Sequence, residues 1–272
     1  MSPPSGAFDG SGTPPSQGSG AMFDGIAERY DLLNRLMSLG LDRRWRRRLV
    51  RAVLADPVPP ALVLDLATGT ADVALALLRA DRALRVVGLD PSARMLAQGA
   101  RKGAARAALA AGRLRLMRGD ALRLPYGAAT FGACCVAFGI RNVPDRLAAL
   151  CELRRVTAPG GLVAVLELGE PRQGLLAPLA RWHVQRVVPA LGAWLSGAPE
   201  YRYLQRSMAA FPAPAAFLGL LEQAGLRDAH CTRMGLGSVH LFTGRVPRDA
   251  AGDTTNDAPL SEAEGCARGK SP

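Results

Sequence analysis

The stretch Leu62-Val63-Leu64-Asp65-Leu66-Ala67-Thr68-Gly69-Thr70-Ala71-Asp72, followed by Val86-Val87-Gly88-Leu89-Asp90, decides the fold. An apolar, strand-forming run breaks into a tight turn, and a second such run ends in an acid about 20 residues later. Rossmann-like units use that interval to set a carboxylate against a ribose. The turn is not G-x-G-x-x-G: Gly69 is its one glycine, and Thr68, Thr70 and Ala71 fill the other places. Binding a pyrophosphate requires backbone amides to approach its oxygens closely, and these methyl groups crowd that approach. A nucleoside without phosphates suits the turn better. S-adenosylmethionine is the common ligand of that kind, which makes a methyltransferase the first expectation.

Outward from this turn, strand and helix patterns alternate. Phe23 to about Leu54 reads as one or two helices, Leu62–Leu66 as a strand, and Asp72–Arg79 as the opening of a helix. Arg85–Leu89 is the second strand, with Pro91 placed in the first turn of the helix after it. Arg113–Met117, Phe131–Phe138 and Gly161–Leu168 are three more strands, with a helix over Val143–Val156. Alternation at this spacing implies right-handed crossovers and a parallel sheet. From 170 to about 226 the pattern is helical, broken at Pro178, Pro189, Pro199, Pro212 and Pro214. Insertions at the carboxyl edge of a parallel sheet usually cover the substrate, so 170–226 is expected to be a helical lid. Arg227–Met234 and Val239–Arg245 are the last strands, joined by Gly235-Leu236-Gly237. The expected fold is Rossmann-like α/β: a mostly parallel seven-stranded sheet, helices on both faces and an antiparallel C-terminal strand. Residues 21–246 form one domain, flanked by Gly-, Ser- and Pro-rich or polar tails at 1–20 and 247–272 that read as disordered.

Bulk properties narrow the functional class. In 272 residues, a hydrophobic fraction of 49% and a mean hydropathy of +0.08 exclude a mostly disordered chain. No apolar run reaches the length of a membrane span; Val184–Leu195 comes nearest but contains Gln185, Arg186 and Pro189. The N-terminus lacks a basic segment followed by an apolar stretch, so a cytoplasmic location is expected. The five cysteines have no C-x-x-C spacing, and His183, His230 and His240 are scattered, so no metal is expected. The net charge of +11 is almost all arginine, Lys102 and Lys270 being the only lysines. Arg43, Arg44, Arg46, Arg47, Arg48 and Arg51 cluster around Trp45, while Leu41, Trp45 and Leu49 recur four apart on one helical face. Such a helix has three readings: a solvated face, a contact with anionic lipid, or a track for nucleic-acid phosphates. Aromatic residues make up only 5% of the chain and do not interleave with the basic ones, so no nucleic-acid partner is expected.

Ligands of open parallel sheets bind outside the carboxyl ends of the strands. The polar residues there are Asp65 with Gly69 and Thr70, Asp72, Asp90, Asp120 with Ala121, and Arg141 with Asn142. Asp90 can accept both ribose hydroxyls, because an ionised carboxylate offers acceptors only. Asp120 can accept from the adenine amino group, and the Ala121 amide can donate to a ring nitrogen. Asp65 or Asp72 would hold the methionine ammonium, with Thr70 near its carboxylate. Two plainer readings stay open: Asp90 as a helix cap, and Asp65 as a structural carboxylate hydrogen-bonded to the turn.

Residues 22 to about 245 resemble the quinone C-methyltransferase family, which contains demethylmenaquinone methyltransferase and its ubiquinone-pathway relative. The resemblance rests on Met22-Phe23-Asp24-Gly25-Ile26-Ala27-Glu28-Arg29-Tyr30-Asp31-Leu32-Leu33-Asn34, Met37-Ser38, Trp45 and Leu64–Thr70. Further along, Phe138-Gly139-Ile140-Arg141-Asn142-Val143, Arg155-Val156, Pro159-Gly160-Gly161, Glu167 and Tyr201-Arg202-Tyr203-Leu204 complete it. It implies methyl transfer from S-adenosylmethionine to a ring carbon of a polyprenyl quinol, most simply demethylmenaquinol, with a benzoquinol as the alternative. It also implies an enzyme that approaches the inner face of the membrane, where the substrate's tail resides; a homodimer stays open. Arg141 is the expected partner of the quinolate oxygen and Asn142 a second donor, with Tyr201 among the candidates to carry the proton. Thr68 and Ala71 depart from the family by replacing two glycines of the turn, and Asp42 stands where a histidine is usual.

Overall fold

A computed structural model describes residues 38, 40–56, 59–169 and 207–248. The elements are α1 (Asp42–Val53), β1 (Leu62–Leu66), α2 (Asp72–Ala80), β2 (Arg85–Asp90), α3 (Ala93–Arg101) and α4 (Gly103–Ala110). They continue with β3 (Leu114–Arg118), β4 (Phe131–Ala137), α5 (Arg146–Val156), β5 (Thr157–Leu168), α6 (Pro214–Gln223), β6 (Arg227–Met234) and β7 (Val239–Arg245). One seven-stranded sheet takes the order β3-β2-β1-β4-β5-β7-β6. Only β7 runs against its neighbours, pairing antiparallel with β5 and β6. The expected architecture is therefore the observed one, with the chain reversing its direction of travel across the sheet between β1 and β4.

Both faces of the sheet are covered, which is why its central strands read as unbroken apolar runs rather than alternating ones. On one face Val63, Val86, Ala133, Cys135 and Leu166 pack with Leu49 and Val53 of α1, Leu77 and Leu78 of α2, and Ala105 and Ala108 of α4. On the other, Leu64, Leu66, Cys134, Val136 and Val165 meet Leu150 and Leu153 of α5 and Phe217 and Leu221 of α6. Cys134 and Cys135 thus point to opposite faces, both buried and both free thiols.

Three expectations change in detail. Pro91 lies before the helix rather than in it: Ser92 is the cap of α3, its hydroxyl accepting from the Met95 amide at 3.1 Å. The expected lid divides: 170–206 fall outside the described residues, whereas α6 places Phe217 and Leu221, both fully buried, in the core beneath the sheet. The apolar stripe of α1 also turns inward. Leu49 is fully buried and Trp45 packs edge-on against Phe138 at 6.4 Å, leaving Arg43, Arg44, Arg47, Arg48 and Arg51 outside. The two tails lie outside the described residues, apart from Pro247 and Arg248.

Register brings the strand ends level. Leu66 stands opposite Leu89 of β2 and Val136 of β4, Ala137 opposite Leu166, and Glu167 opposite His240. The chain leaves this edge in strained conformations: Ala67, Ala71 and Phe138 have φ of 52°, 64° and 59°. Left-handed backbone costs a non-glycine residue roughly 1–2 kcal/mol, and such strain collects at functional sites. The β1 and β4 loops also touch, since a Cβ on Gly139 would stand 2.4 Å from the Ala67 Cβ. Helix α3 approaches the β1 turn as closely: a Cβ on Gly99 would fall 2.9 Å from the Thr70 carbonyl carbon and 3.0 Å from its oxygen. Backbone cannot swing aside as a side-chain end can, so Gly99→Ala must move either the helix or the turn. The expected cost is about 1–3 kcal/mol, read as a lower denaturation midpoint; unchanged stability would show that helix and turn are not in this contact.

Candidate active site

The turn after β1 is held from below by Asp65, whose side chain is 1% exposed. One carboxylate oxygen accepts from the Thr68 hydroxyl at 2.6 Å and from the Ala74 amide at 3.0 Å. The Cys135 thiol donates to the other oxygen at 3.7 Å. Ala74 is the third residue of α2, and its amide is a usual partner of an N-cap side chain. Ala71, at the cap position, has no such side chain, so Asp65 supplies the cap from beneath the turn. Thr68 turns its substitution for glycine to use through the same carboxylate. The plainer reading of Asp65 is what this geometry displays: one oxygen is engaged by the turn and α2, the other by Cys135 of β4. Burial raises its pKa to about 7, against the opposing pull of these hydrogen bonds.

From the side, Asp90 holds the same turn. One oxygen accepts from the Gly69 amide at 2.8 Å and the other from the Ser92 amide at 2.9 Å. A carboxylate has about four acceptor sites, so one amide on each oxygen is compatible with accepting ribose hydroxyls as well. Cap and nucleoside ligand are therefore not exclusive readings. Asp120 lies beside it across β3, because the Gly119 amide donates to the Asp90 carbonyl at 3.2 Å. Its carboxylate accepts from the Leu122 amide at 3.0 Å, curling Asp120 and Ala121 into a half-buried turn at the sheet edge.

Asp72 and Thr70 have partners that the sequence did not announce. Lys102, just past α3, places its Nζ 2.6 Å from the Asp72 carboxylate and 3.0 Å from the Thr70 hydroxyl. Arg46 of α1 reaches the other Asp72 oxygen at 3.3 Å and is bound to Asp42, which also accepts from Ser38 at 3.1 Å. Arg46 lies over the Phe138 ring, its guanidinium carbon 5.7 Å from the centroid. One arginine of the basic cluster is thus a site residue, set apart from its neighbours only by facing inward.

Across the edge, Arg141 sits in a three-residue helical turn, Ile140–Asn142, and is 8% exposed. Its Nη1 donates to Glu167 at 2.5 Å and to the Phe138 carbonyl at 2.6 Å, while its amide donates to the second Glu167 oxygen at 3.1 Å. Glu167 is fully buried, so removing either partner would leave the other charge uncompensated, the costly case for buried pairs. Asn142 follows in the same turn, and Arg146 caps the group by donating to the Arg141 carbonyl at 3.1 Å. His240 completes this side, stacked on Phe242 at 5.8 Å, its pKa lowered chiefly by burial. Of the expected site residues, Asp65, Gly69, Thr70, Asp72, Asp90, Asp120, Ala121, Arg141 and Asn142 all gather at one sheet edge. Tyr201 lies outside the described residues.

A sheet of this order, with acids at the carboxyl ends of its strands beside the point where the strand order reverses, is the architecture of Rossmann-like S-adenosylmethionine-dependent methyltransferases. One solved methyltransferase of that class, from Thermotoga maritima, matches at a TM-score of 0.56 and 17% identity, covering 83% of this chain and 98% of its own. The chain belongs to the ubiE/COQ5 methyltransferase family, whose model matches residues 15–245. A ubiquinone/menaquinone biosynthesis C-methyltransferase from Syntrophotalea carbinolica is 44% identical over 230 residues, spanning 85% of this chain and 94% of that protein. A demethylmenaquinone methyltransferase from Thermus thermophilus is 44% identical over 222 residues, spanning 81% and 98%.

The raised pKa of Asp65 fixes a sign for stability against pH. The folded state holds this proton up to about pH 7, whereas an unfolded aspartate loses it near pH 4. The resulting stabilisation is complete below about pH 4 and is lost as pH rises through about 7. Asp65→Asn should flatten that dependence, so denaturant midpoints of the variant should gain on the native chain between pH 4 and pH 7. Parallel curves would mean that Asp65 stays ionised in its burial.

Proposed function

We propose that this chain methylates a ring carbon of a polyprenyl quinol, with demethylmenaquinol as the acceptor. The observation that carries the reading is the pairing of a family match over residues 15–245 with an acid, Asp90, bonded 2.8 Å from the Gly69 amide at the strand reversal. The donor set suits S-adenosylmethionine: Asp90 for the ribose, Asp120 and the Ala121 amide for adenine, and the Thr70–Asp72 cluster for the amino-acid end. When bound, the cofactor supplies a methyl on a sulfonium, an electrophile for a carbon nucleophile. The acceptor must be made into that nucleophile, since a neutral aromatic carbon attacks poorly. Loss of a hydroxyl proton puts negative charge on the ortho and para carbons.

The chain's own contribution is to hold the two reactants in line and to favour the quinolate. Approximation of this kind is worth effective molarities of about 10⁵–10⁸ M. On the acceptor side Arg146 stands beside Asn142, donating to the Arg141 carbonyl at 3.1 Å. The Nη1 of Arg141 is committed to Glu167 and Phe138, so we read Arg141 first as a positioning residue that fixes the β4 loop. Its charge is balanced by the buried Glu167 at 2.5 Å.

The finer part of the proposal is a peripheral membrane contact. Five outward arginines on α1, with Leu41 exposed at 44% beside them, form a basic face next to the site. The apolar stripe is used in the core, so this contact is electrostatic rather than an inserted amphipathic helix. Each arginine near an anionic surface contributes about 1 kcal/mol, lost to salt. The test is transfer of labelled methyl to reduced demethylmenaquinol or its demethylated benzoquinol counterpart, presented in neutral and anionic vesicles. Methyl incorporation into the naphthoquinol, faster on anionic vesicles and slowed by salt, is expected. Transfer to neither quinol overturns the substrate, and equal rates on both vesicle types overturn the membrane contact.

A further inference from the structure

Beside the end of β5, two basic side chains share one aromatic wall. Arg146, the first residue of α5, lays its guanidinium over the Phe211 ring, 5.8 Å from carbon to centroid, and its Nη2 donates to the Arg141 carbonyl at 3.1 Å. Its Nε is buried without a hydrogen-bond partner, and among the described residues no carboxylate pairs with it. Arg141 next to it is in the opposite state, its charge matched by the fully buried Glu167. A part-buried cation held only by a ring and a carbonyl lacks the counter-charge that burial ordinarily demands. His240, the second residue of β7, is 4% exposed, with its ring on Phe242 and, among the described residues, no hydrogen-bond partner at either nitrogen. Register sets it between Glu167 of β5 and Arg233 of β6, on the same face of the sheet. Gly169 keeps a side chain out of this corner: a Cβ there would stand 3.2 Å from the His240 Nδ1 and 4.0 Å from Phe211. Burial, then the charge of Arg233, lowers the pKa of His240, so the imidazole is neutral at pH 7 and keeps a free lone pair.

We propose that His240 takes the acceptor's hydroxyl proton and that Arg146 holds the oxygen anion so formed, with Phe211 and Phe242 walling the corner in which they do so. This rests on the quinol reading given above and names the residues that activate the acceptor. The two side chains suit the two tasks: the neutral imidazole accepts a proton, and the unmatched guanidinium gains its missing counter-charge as the anion forms. The step balances. The hydroxyl proton goes to an imidazole nitrogen; the ring carbon bonds to the methyl as the methyl–sulfur bond breaks, and the electron pair of that bond stays on sulfur. The proton on the methylated carbon leaves to water and the imidazolium returns its own to the oxygen, so one proton is released per methyl transferred. The charged groups around the imidazole are Glu167, neutralised by Arg141, and Arg233 across β6, so no net negative charge holds it protonated.

The test is single-turnover methyl transfer to reduced demethylmenaquinol in detergent across the pH range, with S-adenosylhomocysteine affinity measured alongside by calorimetry. The native rate is expected to fall in acid as His240 takes a proton from solvent and to level off near neutrality. His240→Gln should lower the rate about 10²- to 10⁴-fold, the worth of a positioned base, and replace the plateau by a rate that climbs with pH toward the hydroxyl's own ionisation. Arg146→Met should cost about 10²-fold, with Arg146→Lys recovering part of it because the charge returns. Cofactor affinity should stay native in all three, and His240→Asn serves if the glutamine variant does not melt cooperatively. A folded His240 variant that keeps the native rate and pH profile, or that loses S-adenosylhomocysteine affinity as steeply as rate, overturns the proposal, as does a folded Arg146→Met chain of native rate. A native chain that methylates no quinol overturns the quinol reading itself, a distinguishable failure.

Discussion

The turn between β1 and α2 is held by two carboxylates on different sides, and the rest of the site depends on that bracing. Asp65, buried beneath it, ties Thr68 to the first turn of α2; Asp90, at the end of the next strand, takes the Gly69 amide. Neither alone would define the conformation, because the chain here passes through left-handed residues at Ala67, Gly69 and Ala71 that it would otherwise leave. Non-glycine residues persist there only when their surroundings over-determine them. Asp65 remains inside the protein, where its charge is costly, whereas Asp90 stands at the edge with the acceptor capacity a ribose would use. One acid shapes the turn, and the other both shapes it and presents it.

Around this turn the edge divides into two halves. On the β1–β2–β3 side lie the groups suited to the donor: Asp90, Asp120, Ala121 and the Asp72–Lys102 cluster. On the β4–β5–β7 side lie the buried Arg141–Glu167 pair, Asn142, Arg146 and His240. Phe138 joins the halves, its strained backbone feeding Arg141 and its ring packed by Trp45 and Arg46 of α1. A displacement of α1 would therefore be felt in both halves at once. That places the basic helix, with its exposed arginine face, where contact with an anionic surface would bear on the site.

Much of this was legible in the sequence because strand boundaries follow from composition and turn chemistry. Leu62–Leu66 and Val239–Arg245 lie where their apolar runs put them, and Arg227–Met234 where the glycines on either side, Gly225 and Gly235, delimit it. The acids at strand ends were legible too, since a parallel sheet with level strands must bring its carboxyl termini together. Other features were not. Arg46 looks like its five basic neighbours until the helix is rotated onto the sheet, and only packing decides which arginine faces in. Lys102 is separated from Asp72 by 30 residues, so no local pattern joins them; its rarity in an arginine-rich chain was the one available signal. The stripe Leu41, Trp45, Leu49 has the same period whether it meets lipid or a core, and here Leu49 and Trp45 belong to the core. The cover of the site was misjudged at its end for a similar reason. A helical pattern shows that α6 has an apolar face but not which layer it packs on, and Phe217 and Leu221 take it beneath the sheet.

If the edge braced by Asp65 and Asp90 receives the nucleoside of the methyl donor, the bound ligand will show it. The most direct measurement is a crystal structure of the chain with S-adenosylhomocysteine. Both ribose hydroxyls are expected on the Asp90 carboxylate, with adenine against Asp120 and Ala121 and the Gly69 amide still bonded to Asp90. A ligand bound away from the β1–β2 edge, or one whose ribose makes no contact with Asp90, would contradict it.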